Sequence, residues 1–119
     1  MRAHALLPFL LLCACAPEPP PRPELQLDCK LGFAEMSRRI AAEPGLSPAQ
    51  DPSEPYRYYK PEGGGATFVV TVPGAPGHPA IFRQAAAHEG GRKVMRTTGC
   101  PFGDRNGYDQ VLAYLESLS

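Results

Sequence analysis

The chain of 119 residues and 12.8 kDa has room for one small domain with a single hydrophobic core. Twelve Lys and Arg balance twelve Asp and Glu, so the chain as a whole has no field to recruit nucleic acid or an anionic membrane. A hydrophobic share of 43% excludes wholesale disorder, whereas fifteen prolines, well above the usual share of about 5%, must be explained by position.

The first fifteen residues read as an export signal. Met1-Arg2-Ala3-His4 is a short basic start, and Ala5 to Leu12 (ALLPFLLL) is an apolar stretch. That stretch falls short of the ~20 residues that cross a bilayer but suits a signal-peptide core. Leu12-Cys13-Ala14-Cys15 follows at once and resembles the lipobox of bacterial lipoproteins, with Leu three residues before a Cys and a small Ala directly before it. The resemblance implies that residues 1–14 are a lipoprotein signal peptide. Cys15 would then carry a diacylglyceryl thioether and, after cleavage, an N-linked acyl chain such as palmitate. The domain would be held to a membrane by lipid. Cys13 is the poorer candidate, because the bulky Leu12 precedes it. Ordinary secretion is a rival, since Ala14-Cys15-Ala16 fits an A-x-A cleavage pattern, but that cut would leave Pro17 as the first residue. An uncleaved anchor conflicts with the short core and with Pro8 inside it. Either cleaved form places the domain outside the cytoplasm. Ala16 is not an acidic retention residue, so the resemblance further implies the outer membrane, facing the periplasm.

Residues 15–24 form the predicted tether. Ala16 to Glu24 reads APEPPPRPE, a run that excludes helix and inner strand and favours polyproline II. Nine such residues reach roughly 28 Å at ~3.1 Å each. A PxxP ligand for an SH3-like partner is the weaker reading outside the cytoplasm.

The globular domain is expected over residues 25–119. A short strand at Leu25–Leu27 leads to a helix from Cys29 to Ala42, with Asp28 as N-cap and Pro44-Gly45 as its stop. Leu46 to Pro55 (LSPAQDPSEP) reads as a surface loop. Tyr56 to Lys60 is a short aromatic strand, and Pro61 to Gly65 turns the chain. Thr67 to Val72 (TFVVTV) is the clearest strand, with Phe68, Val70 and Val72 on one face. After the Pro73–Pro79 break, Ala80–Ala87 and Arg92–Thr98 form a hairpin around Gly90-Gly91. Asn106 is expected to cap a last helix, Gly107 to Leu118, whose apolar stripe is Tyr108, Val111, Leu112, Leu115 and Leu118. The order is α-β-β-β-β-α. This is an α+β domain, an antiparallel sheet of about four strands with the N-terminal and C-terminal helices on one face. The other face, with Thr67, Thr71, Arg96 and Thr98, is expected to be wetter. The order, with the Gly77-His78-Pro79-Ala80 turn, also resembles that of small proteobacterial lipoproteins and secreted proteins. The resemblance supports the fold and implies no particular activity.

Two cysteines remain in the folded part, Cys29 and Cys100. An even pair in an oxidising compartment predicts a disulfide, here clamping the two helices side by side, with Cα atoms within about 7 Å. The C-x-x-C spacing of thiol redox chemistry is missing. His78 and His88-Glu89 lack the H-x-x-H and H-E-x-x-H spacings of metal sites, so no metal or cofactor is expected. Gly63-Gly64-Gly65 reads as a turn, since no Gly-Lys-Ser/Thr follows it. Tyr56, Arg57, Tyr58 and Tyr59 are the strongest binding candidates, because Tyr and Arg dominate interface hot spots, with His78 beside them as a further ligand contact. No G-x-S-x-G motif supports an enzyme. The sequence therefore points to a membrane-anchored envelope lipoprotein with a non-catalytic binding or accessory role and an envelope protein as candidate partner. A small-ligand or metal-binding module using His78 and His88 is the alternative, and an enzyme with unrecognised residues is a second.

Overall fold

The computed structural model describes residues 17–118; the signal segment and Cys15 lie outside the described residues. A single 3-10 turn, Cys29–Leu31, leads into helix α1, Phe33–Ala42. Five strands follow, β1 (Leu46–Gln50), β2 (Tyr56–Pro61), β3 (Thr67–Thr71), β4 (Ala80–Glu89) and β5 (Arg92–Pro101), and helix α2 (Arg105–Ser117) closes the chain. The strands pair in sequence order, each antiparallel to the next. The domain is a single α+β unit built on one antiparallel meander.

The fifth strand lies where the sequence reads as a loop. Leu46–Gln50 pairs with β2 from Leu46↔Pro61 to Gln50↔Arg57 despite Pro48. A proline removes one ladder donor, which an edge strand tolerates, and β1 is an edge. The expected strand at Leu25–Leu27 is absent; both leucines are half-buried and pack against the α1 side of the core without joining a ladder. The expected helix Cys29–Ala42 is two pieces. Asp28 does cap, its carboxylate accepting from Lys30 N at 3.0 Å, but Gly32 at φ 83° interrupts the helical path between turn and helix.

The helices lie on opposite faces of the sheet, not on one. Strand alternation sends Phe68 and Val70 of β3 toward Met36 and Ile40 of α1, and Val69 toward Tyr108, Val111 and Leu115 of α2. Phe68-Val69-Val70 is thus a continuous apolar run because both sides of the strand are covered. Of the residues expected on a wet face, Thr71 is 2% exposed, its hydroxyl accepting from Ala80 N at 2.9 Å and lying 3.1 Å from Ala80 O.

Helix α2 begins earlier than Asn106 implied. Asp104 is the cap, its carboxylate accepting from Gly107 N at 2.8 Å, and Asn106 lies inside the first turn. The helix sits very close to its neighbours. A Cβ at Gly107 would lie 2.7 Å from Gly77 Cα, so backbone meets backbone where α2 crosses the turn before β4. Tyr108 stacks on Phe82, ring centroids 4.9 Å apart, above the space left by Gly99.

Cys29 and Cys100 lie at disulfide distance, Cα to Cα 5.4 Å. Cys100 belongs to β5 and Cys29 to the 3-10 turn. The pair therefore ties the entrance of α1 to the edge strand, and does not clamp helix to helix. The proline segment is not a free rod over its whole length. A Cβ at Gly63 would come 2.8 Å from Pro20 O, Gly45 meets Pro21 more closely still, and Glu24 N and Leu25 N donate to Glu43 Oε2 at 2.8 and 3.1 Å. The chain from Pro20 to Leu25 lies against one end of the sheet. No helix among the described residues is long and apolar enough to cross a membrane.

Candidate functional site

The aromatic strand does not form a single platform. Alternation along β2 sends Tyr56 and Tyr58 to the α2 side and Arg57 and Tyr59 to the α1 side. Tyr56 and Tyr59 are buried in the two halves of the core, so two of the expected binding residues pack instead of binding. Each side nevertheless keeps a concavity that includes residues of this strand.

On the α2 side an open groove of about 970 Å³ runs between α2 and the β1–β2 hairpin. Glu54, in the connection between those strands, lines it. Glu54 Oε2 accepts from Tyr58 OH at 3.4 Å and from Tyr114 OH, which α2 contributes. The Tyr114 ring lies 5.9 Å from that of Tyr56, and Lys60 Nζ is 5.6 Å from the centre of the Tyr58 ring. Gln50, Asp51, Ser53, Thr67 and Gln84 complete the polar lining, and Leu118 adds an apolar edge. Gln84 Nε2 also donates to Leu115 O at 3.4 Å, fixing the last turn of α2 beside the groove.

The electrostatics keep the tyrosines as donors. Burial, reinforced by the Glu54 charge, pushes the Tyr58 hydroxyl well above its ordinary range. The hydrogen bond to Glu54 is the main cause raising Tyr114. Both phenols stay protonated at neutral pH. Asp51 is lowered, first by the Ser53 hydroxyl and then by the Ser53 amide, at 2.7 and 2.9 Å. The groove thus offers fixed acceptors, fixed donors and aromatic surface, the equipment of recognition.

On the α1 side a smaller pocket of about 380 Å³ brings Arg57, Tyr59 and His78 together with Phe33 and Ser37. His78 Nδ1 lies 2.8 Å from Thr71 Oγ1, and its ring meets Phe33 edge-on at 5.3 Å. Ser37 Oγ is buried there with no partner among the described residues. His88 is remote from this pocket, since it follows eight residues into β4, about 25 Å along a strand at ~3.3 Å per residue. The two histidines cannot share an ion. No three His, Cys, Asp or Glu side chains cluster to hold a metal among the described residues.

Glu54, Tyr114 and Gln84 were not legible as site residues. Glu54 and Tyr114 are sixty positions apart, and only the fold joins them. One signal existed: Tyr114 is an aromatic residue off the apolar stripe of α2, 39% exposed in the structure. No family model, curated protein or solved structure matches this chain.

Proposed function

We propose that the chain is a lipid-anchored, non-catalytic binding module of the bacterial cell envelope, attached through Cys15, with the α2-side groove as its ligand site. The observation that carries the binding role is Glu54, held between tyrosines from β2 and α2 in the wall of a groove mixing donors and acceptors. Two carboxylates, two amides, two aliphatic hydroxyls, an ammonium and two phenols suit an uncharged, hydroxyl-rich ligand such as an envelope glycan. Sugar hydroxyls pair with Glu54, Asp51 and Gln84, and the Tyr114 ring offers an apolar face to ring C–H groups.

Calorimetric titration with soluble glycan fragments of the envelope tests this role. Glu54→Gln exchanges a charge-assisted acceptor for a neutral one and should weaken binding about tenfold. Tyr114→Phe should give a smaller loss. Binding indifferent to both substitutions, or none at all by the folded protein, would overturn the assignment. Attachment is tested separately by the intact mass of the mature protein. Lipid on Cys15 is expected, with Cys15→Ser unprocessed or released and Cys13→Ala processed normally; an unlipidated N-terminus at Pro17 would sink the anchor.

A second reading draws support from the α1-side pocket. Arg57 has no carboxylate partner among the described residues, and Ser37 Oγ is unpaired beside it. A small organic acid would satisfy both. Under that reading Arg57→Gln removes binding and Glu54→Gln does not.

A further inference from the structure

The strands of the sheet do not end together. β3 pairs with β4 only as far as Thr67↔Gln84, whereas β4 and β5 remain paired to Glu89↔Arg92. Residues 85–89 and 92–96 therefore project as a two-stranded arm, about 17 Å beyond the last β3 pair at ~3.4 Å per residue. Arg92, Lys93 and Arg96 lie on this arm, against a single acid, Glu89, which pairs with Arg96. Arg92 and Lys93 have no carboxylate partner among the described residues. Met95, 45% exposed, stands beside them.

The proline segment meets the sheet at this same end. It crosses Gly45, just before β1, and Gly63 and Gly65, in the turn between β2 and β3. The glycines leave room for it: a Cβ at Gly65 would come 3.3 Å from Pro23 Cδ, and one at Gly63 would press on Pro20. Docking shortens the free tether. From the docked Pro20 back to Cys15, five steps reach at most about 16 Å at the ~3.1 Å per residue of polyproline II. That reach is comparable to the projection of the arm.

We propose that the β4–β5 arm is a membrane-facing foot, its tip resting in the phospholipid headgroups with Arg92 and Lys93 against the phosphates. The inference rests on the reading of Cys15 as the lipid site, since the lipid is what brings this end of the sheet to the surface. The neutral whole chain does not oppose it: screening confines the interaction to charges within about 8–10 Å of the headgroups, and there the arm is basic. The foot sets the orientation. With the arm down, the sheet stands on the membrane and the α2-side groove opens sideways into the periplasm.

The chain has no tryptophan, so one introduced residue is an unambiguous reporter. His88→Trp labels the arm, and Pro52→Trp labels the β1–β2 connection at the opposite end of the sheet. Each mature lipidated protein is reconstituted in vesicles of phosphatidylethanolamine and phosphatidylglycerol containing phospholipid brominated near the headgroup. His88→Trp should be quenched and Pro52→Trp should not. Adding Arg92→Gln and Lys93→Gln should bring the His88→Trp signal to the Pro52→Trp level, with vesicle flotation and circular dichroism unchanged. Equal quenching at the two positions in floating protein, or quenching unaffected by the charge substitutions, overturns the foot and leaves the anchor standing. Protein whose mass shows no lipid and which fails to float overturns both.

Discussion

The two faces of the sheet hold their helices by different means. On one, the ten-residue α1 and its leading 3-10 turn are tied to β5 through Cys29 and Cys100, and the helix buries Met36 and Ile40 completely. On the other, the thirteen-residue α2 has no such tie and rests on close approach, Gly107 on Gly77 and Tyr108 over Gly99. Neither helix is long enough to persist alone in water. The difference teaches that a short helix can be held by restricting the unfolded chain or by fitting the folded one, and the two devices should fail under different treatments.

Opening the disulfide should have the largest effect. A pair 71 residues apart in sequence restricts the unfolded chain by about 4 kcal/mol in the chain-entropy model. Cys100→Ala, or reductant added to the wild type, should therefore lower the melting temperature by at least ~15 °C, at ~4–8 °C per kcal/mol for a domain of this size. The Cys29→Ala, Cys100→Ala double variant should ignore reductant. Free alkylation of both thiols in the native, air-exposed protein would show that α1 is not stapled.

Gly107→Ala attacks the other face, and its mechanism is steric. The added methyl meets the backbone of Gly77, which cannot give way cheaply as the end of a flexible side chain could. Overpacking of this kind should cost about 3 kcal/mol, read from the denaturation midpoint. The loss should be the same with and without reductant. The two sites lie on opposite faces, so Gly107→Ala and Cys100→Ala should combine additively to within about 0.5 kcal/mol. Strong coupling would mean that the faces are not independent.

A smaller effect distinguishes the two candidate caps of α2. Asp104→Ala removes the acceptor for Gly107 N and should cost about 1 kcal/mol, whereas Asn106→Ala, inside the first turn, should change stability by less than about 0.5 kcal/mol. The reverse order would restore the boundary that the sequence favoured.

That boundary shows how far local signals reach. The α2 stripe, the run at Thr67–Thr71 and the hairpin at Gly90-Gly91 were legible because each is a periodicity within ten or so residues. β1 was not, because Pro48 and Pro52 mark a loop unless the strand is known to be an edge. The placement of the helices escapes local reading for a related reason: the alternation gives Phe68 and Val70 a face, but Val69 between them also needs cover. Cysteine parity predicted the pair, while the partner elements of Cys100 depended on how far β5 runs. Of the site, only the aromatic strand was visible. Its division between the two faces follows from strand alternation, but the convergence of Glu54 with Tyr114 depends on where α2 crosses the sheet, which no local pattern encodes.

The smallest expected effect again separates the helices, through pH. Glu35 in the first turn of α1 is held near a pKa of about 2, well below its ordinary 4.5, first by the hydrogen bond from Arg38 and then by that from Arg39. A carboxylate depressed in the folded state contributes stability that is present above its unfolded value and lost as pH falls through the folded one. The window is therefore between pH 4.5 and about 2. α2 has only the single, longer pair of Arg105 Nε with Asp109 Oδ1 at 3.4 Å in place of this two-arginine cluster. Urea denaturation of wild type and Glu35→Gln should show the wild type more stable at neutral pH and the two converging near pH 2. The groups are exposed, so the gap should also shrink in about 1 M salt, where the Debye length falls to about 3 Å. A gap that persists at pH 2 would mean that Glu35 acts through packing of its side chain and not through its charge.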